Sequence, residues 1–257
     1  MDLGLTNKRA LVTASSGGLG FACAQALAGE GAVVATSSRD PERAQTAADN
    51  IGSKYAYDVD VSDKTSLETL FANATSDLGG LDILVCNAGG PPPGGFLALE
   101  EDKWDFAYQL TLQSVVRSVR LAIPHFEKAG GGVVVVIASS SVKSPIPNLL
   151  LSNVFRPAIQ GLCKSLALEL ASKNIRVLCL SPGRIETDRV NQLDQIKAER
   201  QGKDFDSVRQ ASLANIPMGR LGEPAEFGRV AAFLCSEAAS YMTGSTLFVD
   251  GGSVKCL

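Results

Sequence analysis

Three groups of residues in this chain have the types and spacing to do chemistry. A glycine-rich turn, Thr13-Ala14-Ser15-Ser16-Gly17-Gly18-Leu19-Gly20, follows a short apolar run and opens a helical pattern. Glycines let the backbone bend sharply and approach a diphosphate, and the helix N-terminus behind them offers free N–H groups and a favourable dipole. Ser139-Ser140-Ser141 ends a run of valines and supplies hydroxyls for a substrate oxygen. Ser152 and Arg156 stand one helical turn apart in a later segment. A guanidinium does not deprotonate, so Arg156 is no general base; it can polarise a carbonyl or bind a carboxylate or phosphate. Lys143, four residues after Ser139, matches the spacing of a serine–lysine nucleophile pair. It falls among Ser144, Pro145 and Pro147, where a solvated loop lysine is the simpler reading.

Positioning these groups takes a sheet whose strands end near one another. Short β-branched runs alternate with longer helical patterns, the signature of βαβ units and a parallel sheet. The pattern predicts strands at Arg9–Thr13, Val33–Ser37, Lys54–Val59, Leu81–Cys86, Val133–Ala138, Ile175–Leu180 and Thr246–Val249. Helices are expected near Leu19–Ala28, Pro41–Asn50, Lys64–Asp77, Glu101–Glu127, Leu151–Ser172 and Glu223–Ser236. Continuous apolar runs such as Val133-Val134-Val135-Val136-Ile137 suit strands covered on both faces. The fold class expected is α/β: one doubly wound Rossmann-type domain over residues 1–257, a parallel seven-stranded sheet with helices on both faces. Residues 186–215, polar and charged, interrupt the strand–helix rhythm; they read either as a substrate lid or as a surface insertion. Pro91-Pro92-Pro93-Gly94-Gly95 reads as a rigid loop at the carboxyl edge of the sheet.

Composition narrows the functional classes. Hydrophobic residues make up 45% and charged residues 20% of the 257, ordinary globular values. A net charge of −3 without a Lys/Arg cluster gives no support for nucleic-acid binding. No apolar run has the ~18 residues of a membrane span, and the N-terminus lacks the apolar stretch of a signal peptide. The six cysteines are scattered without a Cys-x-x-Cys, as reduced thiols of a cytoplasmic protein would be. The lone His125 has no acidic or cysteine neighbours and reads as structural, so no metal site is expected.

Four further motifs fall at predicted carboxyl ends of strands: Asp60-Val61-Ser62-Asp63, Cys86-Asn87-Ala88-Gly89, Ser181-Pro182-Gly183-Arg184-Ile185-Glu186-Thr187 and Asp250-Gly251-Gly252. Any one of them is ordinary turn chemistry. In this order, over nearly the whole chain, they resemble the short-chain dehydrogenase/reductase family, and in particular its ketoacyl-carrier-protein-reductase-like members with an imperfect catalytic set. The resemblance implies that residues Thr13, Ala14, Ser15, Ser16, Gly17, Gly18 and Leu19 wrap a dinucleotide pyrophosphate. It implies that Asp60 and Val61 meet the adenine, that Asn87, Ala88 and Gly89 line the ribose, and that Pro182, Gly183, Ile185 and Thr187 hold the nicotinamide. Where NAD-preferring relatives carry an acidic residue after the second strand, this chain has Ser38 followed by Arg39. A guanidinium suits a 2′-phosphate, so NADP is the expected cofactor, with NAD as the alternative.

The same resemblance exposes departures. The family's first glycine is Ala14 here, whose methyl group crowds the turn. Its catalytic serine corresponds to Ser139, but the tyrosine, lysine and asparagine positions are held by Ser152, Arg156 and Thr111. A phenol has a pKa near ~10 that an ammonium can bring toward neutrality, and a serine hydroxyl is far less acidic. General acid–base catalysis contributes ~10²–10⁴-fold, so its loss need not abolish hydride transfer. The expectation is an oxidoreductase for a small-molecule carbonyl or alcohol, Ser139 binding the substrate oxygen and Arg156 helping electrostatically or holding the nicotinamide ribose. The alternatives are a lyase or isomerase on the same fold, or a cofactor-binding protein without turnover. The resemblance also implies a homo-oligomer, tetramer or dimer, built through the two long helices and the C-terminal segment.

Overall fold

The computed structural model describes residues 2–256; Met1 and Leu257, the ends of the expected domain span, lie outside them. Seven strands form one sheet: β1 (Arg9–Val12), β2 (Val33–Ser38), β3 (Tyr55–Asp58), β4 (Ile83–Cys86), β5 (Gly132–Ile137), β6 (Ile175–Pro182) and β7 (Thr246–Val249). Their order is β3-β2-β1-β4-β5-β6-β7, and every neighbouring pair is parallel. The chain moves outward from β1 in one direction, then returns to lay β4 on its other side. The carboxyl ends of β1 and β4 therefore flank the switch point where a crevice opens.

The helices are α1 (Gly18–Gly29), α2 (Pro41–Asn50), α3 (Lys64–Leu78), α4 (Glu101–Ala107), α5 (Ser114–Ala129), α6 (Leu150–Leu170), α7 (Asp188–Gln201), α8 (Phe205–Leu213) and α9 (Pro224–Cys235). Local chemistry sets their ends. Asp40 caps α2 by accepting from the N–H groups of Glu42 and Arg43, with Pro41 at the first helical position. Asp63 caps α3 through the N–H of Ser66, and Gly79 closes that helix at φ 71°. Glu223 and Glu226 form a reciprocal capping box at the start of α9.

The valine-rich β5 is buried along nearly its whole length, as expected of a central strand covered on both faces. One core layer packs Leu67, Phe71, Val119, Phe126, Ile159 and Cys163 from α3, α5 and α6 against one face of the sheet. The other packs Cys23, Leu27, Phe227 and Ala231 from α1 and α9 against the opposite face. Arg9 ties the amino ends of β1 and β4: its guanidinium donates twice to Asp82, at 2.7 and 2.8 Å, and again to the Gly79 carbonyl.

Most expected elements form, with ends shifted by one or two residues. The main departure is the helix expected over Glu101–Glu127. It is interrupted at Tyr108–Gln113 by a π-helical turn that separates α4 from α5. A wide turn of this kind redirects side chains and inserts a step into the hydrogen-bond ladder, and it places Thr111 inward. The polar segment 186–215 carries α7 and α8. No helix among the described residues is long and apolar enough to cross a membrane.

Candidate active site

The glycine-rich turn is held from both sides of the switch point. Thr13 Oγ1 donates to the Asn87 carbonyl at 2.7 Å and accepts from the Asn87 N–H at 2.8 Å, welding the end of β1 to the end of β4. Asn87 Nδ2 donates to the Ala14 carbonyl at 2.9 Å. Ser15 is fully buried; its hydroxyl donates to the Val12 carbonyl and accepts from the Ser37 N–H. The side chains of Thr13 and Ser15 thus brace the loop, and neither hydroxyl is free to meet a phosphate. What faces outward is the backbone of Ser16, Gly17, Gly18 and Leu19 at the start of α1, where the first helical N–H groups have no side-chain cap.

Ala14 adopts φ 46°, left-handed backbone that costs a residue with a Cβ about 1 kcal/mol. The methyl is accommodated because the surrounding bonds over-determine the turn: Ala14 N–H donates to Ser37 Oγ and its carbonyl accepts from Asn87. Gly20 shows why the loop must lie so close. A Cβ there would come within 2.5 Å of Asn87 Nδ2 and 2.6 Å of the Ala14 carbonyl.

The rest of the crevice is assembled from the other strand ends. Asp60 turns the chain after β3 by accepting from the N–H and hydroxyl of Ser62, and Val61 is buried beneath the crevice. Asn87, Ala88 and Gly89 leave β4 beside Thr13. Pro182 and Gly183 end β6; the Gly183 N–H donates to Val249, and a Cβ there would stand 2.6 Å from Asp250 Cα. Ile185 is buried, and Thr187 caps α7 with its methyl facing Gly18. Residues from four strand ends therefore converge on the opening of the glycine loop, as a dinucleotide would require.

At the end of β2, Arg39 is exposed beside Ser38, with Ser38 Oγ receiving the Asp40 N–H. One turn into α2, the guanidinium of Arg43 comes to about the van der Waals distance of Gly17, 3.6 Å from a notional Cβ. Arg43 thus stands against the glycine turn, and the exposed Arg39 follows the end of β2. The sequence reading missed Arg43. Its spacing of four from Arg39 would have pointed to it once α2 was seen to start at Pro41.

Deeper in the site, α6 presents Ser152 and Arg156 to the sheet; each is 8% exposed. Ser152 Oγ lies 3.3 Å from Ser141 Oγ, and Ser141 Oγ also lies 3.3 Å from the Ser152 carbonyl. Ser139, at the end of β5, accepts the Ser141 N–H at 3.1 Å and retains partial exposure. Arg156 donates through Nη1 to the Ile137 carbonyl at 2.7 Å, while its Nε has no partner. Burial drives its pKa down to about 10, partly opposed by the Cys179 sulfur and reinforced by the charge of Arg189. At neutral pH it is still a cation. Thr111 Oγ1, from the π turn, is buried and also without a partner. A small cavity lies beside Thr111 and Arg156, bounded also by Thr13, Asn87, Ser114, Ser118 and Ile137. Lys143 is exposed in its loop, away from this cluster.

Segment 186–215 is pinned by charge. Asp194 of α7 is 1% exposed; it receives Arg184 Nη2 at 2.5 Å, and Arg209 Nε of α8 lies 2.7 Å from its other oxygen. Arg189 reaches from α7 across to the opposite wall, donating to the Pro91 carbonyl at 2.8 Å. None of these charged groups stood out in the sequence, because their partners are fixed by the folding of the segment and not by a local spacing rule.

Comparison with known proteins agrees with this architecture. The family model described as enoyl-(acyl carrier protein) reductase matches residues 13–254. Dehydrogenase/reductase SDR family member 4 from Homo sapiens is 39% identical over 97% of this chain and 88% of its own length; the Bos taurus protein is 39% identical over 98% and 89%. The chain belongs to the short-chain dehydrogenase/reductase family. Among solved structures of this family, L-sorbose reductase from Gluconobacter frateurii, complexed with NADPH and L-sorbose, superposes with a TM-score of 0.93 at 32% identity, covering the whole of both chains. YwfH, an NADPH-dependent reductase involved in bacilysin biosynthesis, superposes with a TM-score of 0.93 at 27% identity over 98% of this chain and all of its own. The short-chain dehydrogenase/reductase fold and membership of this oxidoreductase family are thereby established for the chain.

Proposed function

We propose that this short-chain dehydrogenase/reductase is an NADP(H)-dependent oxidoreductase that interconverts a small carbonyl compound and its alcohol. The observation that carries the reading is the crevice at the β1/β4 switch point, where a glycine loop locked by Asn87 faces Thr187 and has the guanidinium of Arg43 against Gly17. Ser16 to Leu19 would offer backbone N–H groups to the diphosphate. Asp60 and Val61 would border the adenine. Asn87 to Gly89 would line a ribose, and Pro182, Gly183, Ile185 and Thr187 the nicotinamide. When bound, the dinucleotide supplies the hydride.

The chain's own residues would then manage the substrate oxygen. Ser139, partly exposed at the end of β5, would donate a hydrogen bond to it. Arg156 would stabilise negative charge developing on that oxygen, or hold a sugar hydroxyl, from a site where burial strengthens the interaction. Ser152 and Ser141 form a hydroxyl pair through which a proton can pass to water. In this reading Ser152, Arg156 and Thr111 take the positions of the family's tyrosine, lysine and asparagine. The chain works as one domain with residues 186–215 as its lid. Copies associate through α4 and α6, where Phe106, Val154 and Leu168 remain exposed.

The test is a pair of dissociation constants followed by turnover. NADPH should bind more tightly than NADH, and a panel of ketones should oxidise NADPH. Tighter binding of NADH would overturn the cofactor assignment. Tight NADPH binding without consumption of any carbonyl would overturn the reaction.

A further inference from the structure

Arg117 of α5 is half-buried, and its guanidinium joins two turns from different parts of the chain. Nη1 donates to the Ser62 carbonyl at 3.0 Å, in the turn after β3. Nη2 donates to Gln109 Oε1 at 2.7 Å, in the π turn between α4 and α5. The Ser62 end is a tight unit of its own. Asp60 Oδ1 accepts from the N–H and hydroxyl of Ser62, and the Asp60 N–H donates to Ser66 Oγ.

The bond to Gln109 depends on the π turn. The two residues are eight apart in the chain. On a straight α-helix their side chains would diverge by ~80°. One extra residue in the ladder, which a π turn provides, brings them within ~20° of a common face. Gln113 and Tyr108 show the same dependence. Five apart, they would diverge by ~140° on an α-helix. Here Gln113 Nε2 donates to Tyr108 Oη. Both side-chain bonds therefore favour the wide turn over the straight helix. Tyr108 packs on Phe155, ring centroids 6.1 Å apart, and Trp104 meets the same ring edge-on at 6.2 Å. Phe155 directly precedes Arg156 on α6. Thr111 of the π turn borders the cavity beside Arg156, and so does Val61 of the turn that holds Ser62.

We propose that Arg117 is a positioning residue that ties the turn at the adenine end of the cofactor to the π turn at the reacting end. Filling the adenine end then fixes the placement of Thr111 against Arg156. The inference rests on the cofactor reading above and adds a coupling between its two ends. Arg117 acts through Gln109 and not on the reacting atoms. A planar guanidinium suits the task because its fork serves two acceptors at once, whereas an ammonium is a point charge. Binding energy from the remote adenine half is thereby spent on order where the hydride moves.

Trp104, the single tryptophan, makes the coupling readable without turnover. The probe is 2′,5′-ADP, which has the adenine and 2′-phosphate of NADP and lacks the nicotinamide; calorimetry follows its binding. Saturating the wild type should change Trp104 emission. Arg117→Met and Gln109→Leu should lose that change at saturation, and Arg117→Lys should keep part of it. Gln109→Leu leaves the Ser62 bond in place, so its affinity for 2′,5′-ADP should stay near that of wild type. It also keeps the outcome readable if Arg117→Met fails to fold. With NADPH and a ketone that the wild type reduces, kcat should fall ~10–100-fold in both variants, the effect of a misplaced site. KM for NADPH should rise only in Arg117→Met. Bound 2′,5′-ADP without a change in wild-type emission overturns the coupling, and so does a change that survives in both variants. A raised KM in Arg117→Met with kcat untouched also overturns it and leaves Arg117 a brace of the adenine turn. Failure of the wild type to bind 2′,5′-ADP removes the cofactor reading and the inference with it. An emission change lost in the variants, without turnover of any ketone, upholds the coupling and overturns only the reaction.

Discussion

The hydroxyls of Ser141 and Ser152 lie 3.3 Å apart, joining the turn after β5 to the buried face of α6. Serine–serine contacts of this kind can pass a proton but cannot raise its acidity to that of a phenol. A site built this way stabilises charge well and moves protons poorly.

Restoring the acid is therefore expected to accelerate the reaction. The double variant Ser152→Tyr with Arg156→Lys should raise carbonyl reduction by ~10²–10⁴-fold, and its rate should acquire a pH dependence from the new phenol. Inserting a ring beside Ser141 should cost about 1–3 kcal/mol of stability through overpacking. NADPH oxidation across a pH series, with thermal melts alongside, checks both parts.

Ala14→Gly should stabilise the protein by about 0.5–1 kcal/mol. At φ 46° the alanine is held in backbone that glycine adopts freely, and this relief exceeds the extra entropy glycine gains on unfolding. Urea unfolding should show a higher midpoint with an unchanged slope.

Replacing Arg39 or Arg43 by Gln should weaken NADPH binding ~5–20-fold each and leave NADH nearly untouched, because in the proposed binding mode it is the 2′-phosphate that these guanidinium groups would meet. Raising the salt concentration should narrow the difference between wild type and variants. Titrations of both cofactors at two ionic strengths read this out.

The Arg9–Asp82 pair gives an acid-dependent contribution to stability. Burial raises the Asp82 pKa, but its hydrogen bonds and charge contact with Arg9 outweigh this and hold it below the ordinary carboxylate value. A carboxyl depressed in the folded state stabilises fully above its unfolded pKa of ~3.9 and loses that contribution as pH falls through the lower folded value. Asp82→Asn should therefore cost about 1–2 kcal/mol at pH 7 after allowance for solvent screening, and the gap to wild type should close in acid, once the pH lies below the lowered folded value. Denaturant midpoints at both pH values measure it.

Asp194→Asn should loosen segment 186–215 without unfolding the sheet. Arg184 and Arg209 would be left facing a neutral amide in a buried setting, a cost of about 3 kcal/mol. Hydrogen exchange in α7 and α8 should quicken while exchange in β5 stays slow.

Local pattern alone determined the alternation of strands and helices, the parallel sheet and the glycine turn at its first strand end. These depend on contacts among near neighbours: β-branched runs, helical periodicity, and caps such as Asp40 and Asp63. It also made the departures at Ala14, Ser152 and Arg156 legible, since residue types are read directly. The tertiary structure decided what those residues meet. The family resemblance implied that Thr13 and Ser15 help wrap the pyrophosphate; the Thr13 hydroxyl is spent on Asn87 beyond β4 and the Ser15 hydroxyl on Val12 of β1 and Ser37 of β2. The break at Tyr108–Gln113 is not signalled by any proline or glycine, because a π turn is selected by packing against α6 rather than by local preference. Arg43 over Gly17, Arg189 over Gly90 and Arg184 with Arg209 on Asp194 each bring a guanidinium to a partner that lies from about ten to about a hundred residues away in the chain. Such pairings have no periodicity to betray them. They exist because folding removes the groups from water together, and their partners are chosen by which strand ends the sheet topology sets side by side.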